Sequence, residues 1–185
     1  DILIKEGGNL VYKTIDGIKY VFSKKLTTTL GMLERVVDTN GNATVLNYIV
    51  RQDVPLLSSI ADPSGRVVNF IYGDEADYDL FDKIIEIRDA INPANPRSIK
   101  YEYLNGNLLK VTSSRSYGGQ TENIIREFTY NNENRLSTYK DPNGTILYND
   151  FDAGGRVTAQ YEFNPRIDAV GAKRLVFDFN YSDAA

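Results

Sequence analysis

Tyr130-Asn131-Asn132-Glu133-Asn134-Arg135-Leu136-Ser137-Thr138-Tyr139-Lys140-Asp141-Pro142-Asn143-Gly144 is the stretch that decides the fold class. Leu136 alternates with polar neighbours, as a half-buried strand does. Asp141-Pro142-Asn143-Gly144 then closes the strand. Pro presets φ for the second turn position, and Gly accepts a positive φ near the turn's end. Thr145-Ile146-Leu147-Tyr148 opens the following strand, and Phe151-Asp152-Ala153-Gly154-Gly155-Arg156-Val157-Thr158 makes the next turn and strand.

The same grammar runs backward along the chain. An apolar residue, a spacer and a tyrosine recur as Leu46-Asn47-Tyr48, Phe70-Ile71-Tyr72, Tyr101-Glu102-Tyr103, Phe128-Thr129-Tyr130 and Phe179-Asn180-Tyr181. Turns read Asp38-Thr39-Asn40-Gly41 and Asp62-Pro63-Ser64-Gly65, and Asn105-Gly106 between apolar runs is a strong hairpin signal. The repeat tyrosines are 24, 31, 27 and 51 residues apart, with Phe151 standing in for a tyrosine inside the last gap. Such self-similarity predicts an array in which each unit buries its apolar face by stacking on its neighbours.

Insertions are expected between strands, as loops over 73–82, 91–97, 113–123 and 164–173. The second holds Asn92-Pro93-Ala94-Asn95-Pro96, which cannot sit inside a helix or central strand. The stretch 76–91 has some helical spacing but reads equally as loop into strand. The sum is an all-β chain of about 12 to 14 short strands in sequential antiparallel hairpins.

Composition excludes several functions. The 185 residues carry a net charge of −4 with scattered cations, which argues against nucleic acid or an anionic membrane as partner. There is no Cys and no His, hence no disulfide, no thiolate or imidazole metal site, and no Cys or His nucleophile or base. No apolar run is long enough to span a membrane as a helix. Thirteen Tyr and eight Phe, with no Trp, suit a half-buried sheet with wet edges. The chain opens mid-pattern at Asp1-Ile2-Leu3-Ile4, as a piece of a longer protein would.

Tyr-x-x-x-Asn-Arg-Leu, Asp-Pro-Asn-Gly and Phe-Asp-Ala-Gly-Gly-Arg-Val-Thr over Tyr130–Thr158 resemble two consecutive YD repeats, also called Rhs repeats. Here Phe151-Asp152 replaces Tyr-Asp and Val157 replaces the common Leu. The resemblance extends over about residues 30 to 181, and residues 1–29 match it weakly. Members of this family include bacterial polymorphic toxins, cocoon subunits of insecticidal toxin complexes, wall-associated proteins and teneurins. The resemblance implies a curved, spiralling sheet forming part of a hollow shell. It also implies one repeat region of about six units over residues 1–185, contributing wall and not cargo. The family's self-cleaving core and its toxin cargo have no recognisable counterpart in this sequence.

Candidate sites are sparse. Asp-Pro-x-Gly is read as a β-turn whose Asp bonds the backbone two residues on, not as a catalytic pair. Asp38-Thr39-Asn40-Gly41-Asn42 lacks the twelfth-position Glu of a calcium loop, since Ile49 stands there. Asp74-Glu75-Ala76-Asp77-Tyr78-Asp79 is the better metal candidate, and a solvated acidic loop is its plainer reading. Asn42-Ala43-Thr44 and Asn143-Gly144-Thr145 match the glycosylation pattern in turns that are rich in Asn anyway. Tyr103 and Tyr130 are the candidate ligand-contacting residues, because a ring on a sheet can stack on a sugar; packing is the competing role. Expected layer residues are Val37, Tyr48, Ile60, Tyr72, Ile87, Tyr103, Val111, Tyr130, Leu136 and Val157.

The leading expectation is a non-enzymatic segment of an Rhs/YD-repeat shell that encapsulates or presents an effector domain of its parent, with no catalytic residue, cofactor or metal. The resemblance implies export, to the cell surface or beyond, from a bacterium. The alternative is an adhesion module binding a glycan or protein receptor through the inserted loops. Partners are then other repeats and the effector of the same chain, with edge-to-edge self-association at any unpaired strand.

Overall fold

The computed structural model describes residues 1–23, 31–74, 76–77, 79–89, 97–117 and 120–181, the side chains of 115–117 excepted. These residues hold fifteen strands and no helix. The chain divides into two compact units, Asp1–Ser98 and Ile99–Ala185. In the first lie β1 (Ile2–Glu6), β2 (Asn9–Lys13), β3 (Lys19–Ser23), β4 (Met32–Val37), β5 (Ala43–Arg51), β6 (Val54–Ala61), β7 (Val67–Tyr72) and β8 (Ile84–Asp89). The second carries β9 (Ser98–Leu104), which starts at its border, then β10 (Asn107–Tyr117), β11 (Gln120–Tyr130), β12 (Leu136–Lys140), β13 (Ile146–Phe151), β14 (Val157–Phe163) and β15 (Arg174–Asp178). Within each unit the strand order in the sheet is the chain order. Close backbone contacts between described strands run only between chain neighbours, and among the described residues no large side chain is fully buried, so each unit is a single-layer meander.

Two turn types make the meander. Gly7-Gly8, Gln52-Asp53 and Asn105-Gly106 join β1–β2, β5–β6 and β9–β10 with both residues at positive φ, the two-residue turn that matches strand twist. A five-residue loop does the rest of the regular work, at Thr14–Ile18, Asp38–Asn42, Asp62–Arg66, Asn131–Arg135, Asp141–Thr145 and Asp152–Arg156. In each, the first N–H donates to the fifth carbonyl and the fourth N–H to the first carbonyl. Where the first residue is Asp or Asn, its side-chain oxygen also accepts the fifth backbone N–H at 2.8–3.0 Å. The fourth residue is left-handed: Gly41 at φ 86°, Gly65 at 82° and Gly144 at 90°.

Three expectations change, and one left open is settled. Residues 113–123 are not a loop: Ser113 pairs with Ile124 and Tyr117 with Gln120 in a hairpin of two eleven-residue strands. Its polar side chains disguised it, yet a ladder needs only its backbone bonds, and Ser114 donates to Asn123 across it at 2.8 Å. The strands are therefore more numerous than 12 to 14, and β5, β10 and β11 are not short. Among described residues, 74–83 forms successive turns with no helix, and Ile84–Asp89 is strand. The last motif copy, Phe179-Asn180-Tyr181, lies past the end of β15. Loops at 73–82 and 164–173 stand as expected; residues 91–96 lie outside the described residues.

Candidate functional site: repeat tyrosines and their bulges

Among the described pairings the register slips at six places, and an aromatic residue marks each one: Phe22, Tyr48, Tyr72, Tyr130, Phe151 and Tyr161. Asn47 pairs with Ser59 but Tyr48 pairs with Leu57, which leaves Ser58 as the extra residue. Likewise Glu34, Ile85, Ser137, Thr158 and Val176 are the extra residues opposite the other five. A bulge bends its strand and increases the twist, and it disturbs the ladder bonds beside it.

Two of the tyrosines, Tyr48 and Tyr72, repair that disturbance. Tyr48 donates its hydroxyl to the Leu33 carbonyl at 2.9 Å, next to the β4 bulge residue Glu34. Tyr72 donates to the Leu57 carbonyl at 2.9 Å, next to the β6 bulge residue Ser58. Each ring therefore faces the bulge on the strand after it and fills the carbonyl beside the bulge on the strand before it. Phe151 has no hydroxyl, and there Asn149 donates its side-chain amide to the Leu136 carbonyl at 3.0 Å, beside bulge residue Ser137. Burial raises the hydroxyl pKa of Tyr48 and of Tyr72, with the Arg51 charge opposing it at Tyr72.

Arginines cover the rings. The Arg51 guanidinium lies 5.8 Å from the Tyr72 ring centre and donates to the Gly73 and Phe81 carbonyls, so it ties the 73–83 loop to the sheet. Arg135 covers Phe151 at 5.8 Å, and Arg156 covers Tyr181 at 4.7 Å. Two of the motif spacers, Asn47 and Thr129, form cross-strand polar pairs. Asn47 donates to Ser59 at 3.0 Å, and Thr129 and Thr138 share a hydrogen bond of 2.7 Å.

Of the expected layer residues only Tyr72 is buried; Val37, Tyr48, Ile60, Ile87, Tyr103, Val111, Tyr130, Leu136 and Val157 are half-buried. Tyr103 on β9 and Tyr130 on β11 are separated by β10 in the strand order, so the structure does not set them on adjacent strands. Burial, then the neighbouring Tyr101, raises the Tyr103 pKa. Tyr130 stands at the β11–β12 bulge opposite Leu136. In the acidic loop, Asp74 accepts the Ala76 N–H and Asp77 that of Asp79, which spends both on turns. No three acidic side chains among the described residues are grouped to hold a metal.

The bulges, the Asn149 substitution and the arginine covers had no separate signal in the sequence. The aromatics at Phe22 and Tyr161 fell outside the motif spacing, although each stands in an apolar-x-aromatic run.

No protein-family model matches the chain, and no curated protein matches it either. Solved structures do match. The crystal structure of TcdB2-TccC3 without its hypervariable C-terminal region aligns over 94% of this chain with a TM-score of 0.62 at 17% identity. A Photorhabdus luminescens Tc holotoxin pore carrying a TccC3 mutation aligns over 83% with a TM-score of 0.51 at 13% identity. The chain spans 9% of the length of each of those chains. The Rhs/YD resemblance of the sequence pointed to toxin-complex subunits among others, and the fold this chain adopts is the one found in these toxin-complex chains.

Proposed function

We propose that this chain is a wall segment of an Rhs/YD-repeat shell, a non-enzymatic sheet that encloses or presents an effector part of an exported bacterial parent protein. The observation that carries the reading is the absence of a conventional core. Among the described residues only Val11, Val21, Tyr72 and Ala159 are buried apolar side chains, and none is fully buried. A globular domain of this length buries most of its large apolar residues. A sheet one layer thick, stitched by side chain to carbonyl bonds between neighbours, is built as a wall. The test is protease protection in the full-length parent. Deleting whole repeats from this segment should expose the enclosed part to digestion; unchanged protection would overturn the shell reading.

Glycan recognition through Tyr103 and Tyr130 is the second reading, supported by rings that remain half-exposed. Glycan capture lost in Tyr103→Ala and Tyr130→Ala with the fold intact would favour it over the wall.

A further inference from the structure

Strands β2, β3 and β4 place three cations on one face. Lys13 is directly opposite Lys19, and Arg35 is diagonal to Lys19 through the Val21–Arg35 and Lys19–Val37 pairs. Directly opposed side chains have Cβ atoms about 5 Å apart, and like charges so placed are destabilising. None of the three has an ion-pair or side-chain hydrogen-bond partner among the described residues, although the chain as a whole carries −4. Several other strand cations are answered, Lys140 by Glu127, Lys110 by Glu102 and Arg174 by Glu162, whereas Lys13, Lys19 and Arg35 are three unanswered cations brought together.

The same face holds a depression of about 370 Å³. Val11 and Val21 form its floor at 3% and 5% exposure, Lys19 and Arg35 stand at one end, and Glu6 and Asn9 at the other. An apolar floor with a few convergent polar groups is the form of a ligand site. We propose that this depression binds an extended acidic peptide segment of a partner protein. Its carboxylate sits between Lys19 and Arg35, with Lys13 adding field. An apolar neighbour rests on Val37 and on the aliphatic stems of Lys19 and Arg35 above that floor, and Glu6 accepts a peptide N–H. A simple oxyanion would use the cations but leave Val37 and Glu6 without a role.

The test uses the whole chain and the peptide acetyl-Leu-Glu-Leu-amide, followed by amide NMR shifts at Val11, Val21 and Val37. Binding should weaken about tenfold for acetyl-Leu-Gln-Leu-amide and for Arg35→Gln, the loss of one charge-assisted contact. Lys5→Gln, on the opposite face of β1, should leave it unchanged. Lys19→Gln should weaken binding while raising the unfolding midpoint, because it relieves the Lys13–Lys19 repulsion. Equal binding of the glutamine peptide, equal competition by inorganic phosphate, or destabilisation by Lys19→Gln would each overturn the proposal.

Discussion

The hydroxyl of Tyr72 lies 2.9 Å from the carbonyl of Leu57, and that of Tyr48 lies 2.9 Å from the carbonyl of Leu33. Both bonds span fifteen residues and both end beside a bulge, so one device is used twice at a spacing of 24 residues. Tyr72→Phe and Tyr48→Phe should each lose about 0.5–1.5 kcal/mol of stability, since a half-buried carbonyl loses its donor. Tyr12→Phe is the control, because its hydroxyl meets only the exposed Asp1 carboxylate. Urea unfolding of the three variants checks this; equal losses would mean the bulge carbonyls are satisfied by water.

The five-residue loops respond to acid. The side-chain amide of Asn42, then its backbone N–H, holds Asp38 below the usual carboxylate range. Burial pushes Asp62 up, but the Arg66 backbone N–H and guanidinium outweigh it and the net shift is down. At Asp152 the Arg156 backbone N–H leads, followed by its guanidinium. A carboxyl depressed on folding contributes stability that is present above its unfolded pKa of about 3.9 and is lost as pH falls through the lower folded value. The chain should therefore loosen below about pH 4. Asp62→Asn should flatten that acid limb while keeping the loop, because Asn131 already builds the same loop with a neutral oxygen. Thermal melts from pH 2 to pH 7 of the two proteins decide it.

The fold was legible where backbone chemistry forces residue choice. Asp62-Pro63-Ser64-Gly65 and Asn105-Gly106 name their turns because positive φ and side-chain bonds to the backbone admit few residues. The bulge residues Glu34, Ser58, Ile85, Ser137, Thr158 and Val176 range over acidic, hydroxyl and apolar side chains, so only the aromatic opposite reveals them. The 113–123 hairpin escaped because Ser, Arg, Asn and Gln pair in a strand without an apolar face to announce it. Tyr103 and Tyr130 were legible as repeat positions, while a role in binding depends on geometry that no spacing encodes.

Gly73 is fixed by space. A Cβ there would come within 2.5 Å of the Leu80 Cβ and carbonyl oxygen, at a backbone conformation that is otherwise ordinary. Gly73→Ala should push the 73–83 loop off the sheet and break the Arg51 bond to the Gly73 carbonyl. The expected loss is about 1–3 kcal/mol, as for other overpacked sites. Faster amide exchange confined to Gly73 and Lys83, whose backbones are bonded, is the readout.

Gln52-Asp53 offers the opposite case, a turn that is under-optimised. Both residues hold positive φ, 46° and 62°, without the benefit of glycine. Asn105-Gly106 shows the favoured pair in the same turn type, at φ 51° and 79°. A left-handed non-glycine residue costs about 1–2 kcal/mol, and Asn or Asp somewhat less. Asp53→Gly should therefore stabilise the β5–β6 hairpin by about 0.5–1 kcal/mol, after the added freedom of the unfolded glycine is subtracted.

Among the described residues strand β1 is exposed along its whole length and pairs only with β2, with Leu3 59% exposed, and β15 pairs only with β14, with Phe177 55% exposed. An unpaired edge with apolar side chains templates further strands. The isolated chain should associate in a concentration-dependent way by sedimentation. Leu3→Lys and Val176→Lys together should return it to monomer without changing its β-sheet circular dichroism, because charge on an edge strand opposes pairing. A wild-type chain that stays monomeric at every concentration would show that these edges are covered in solution.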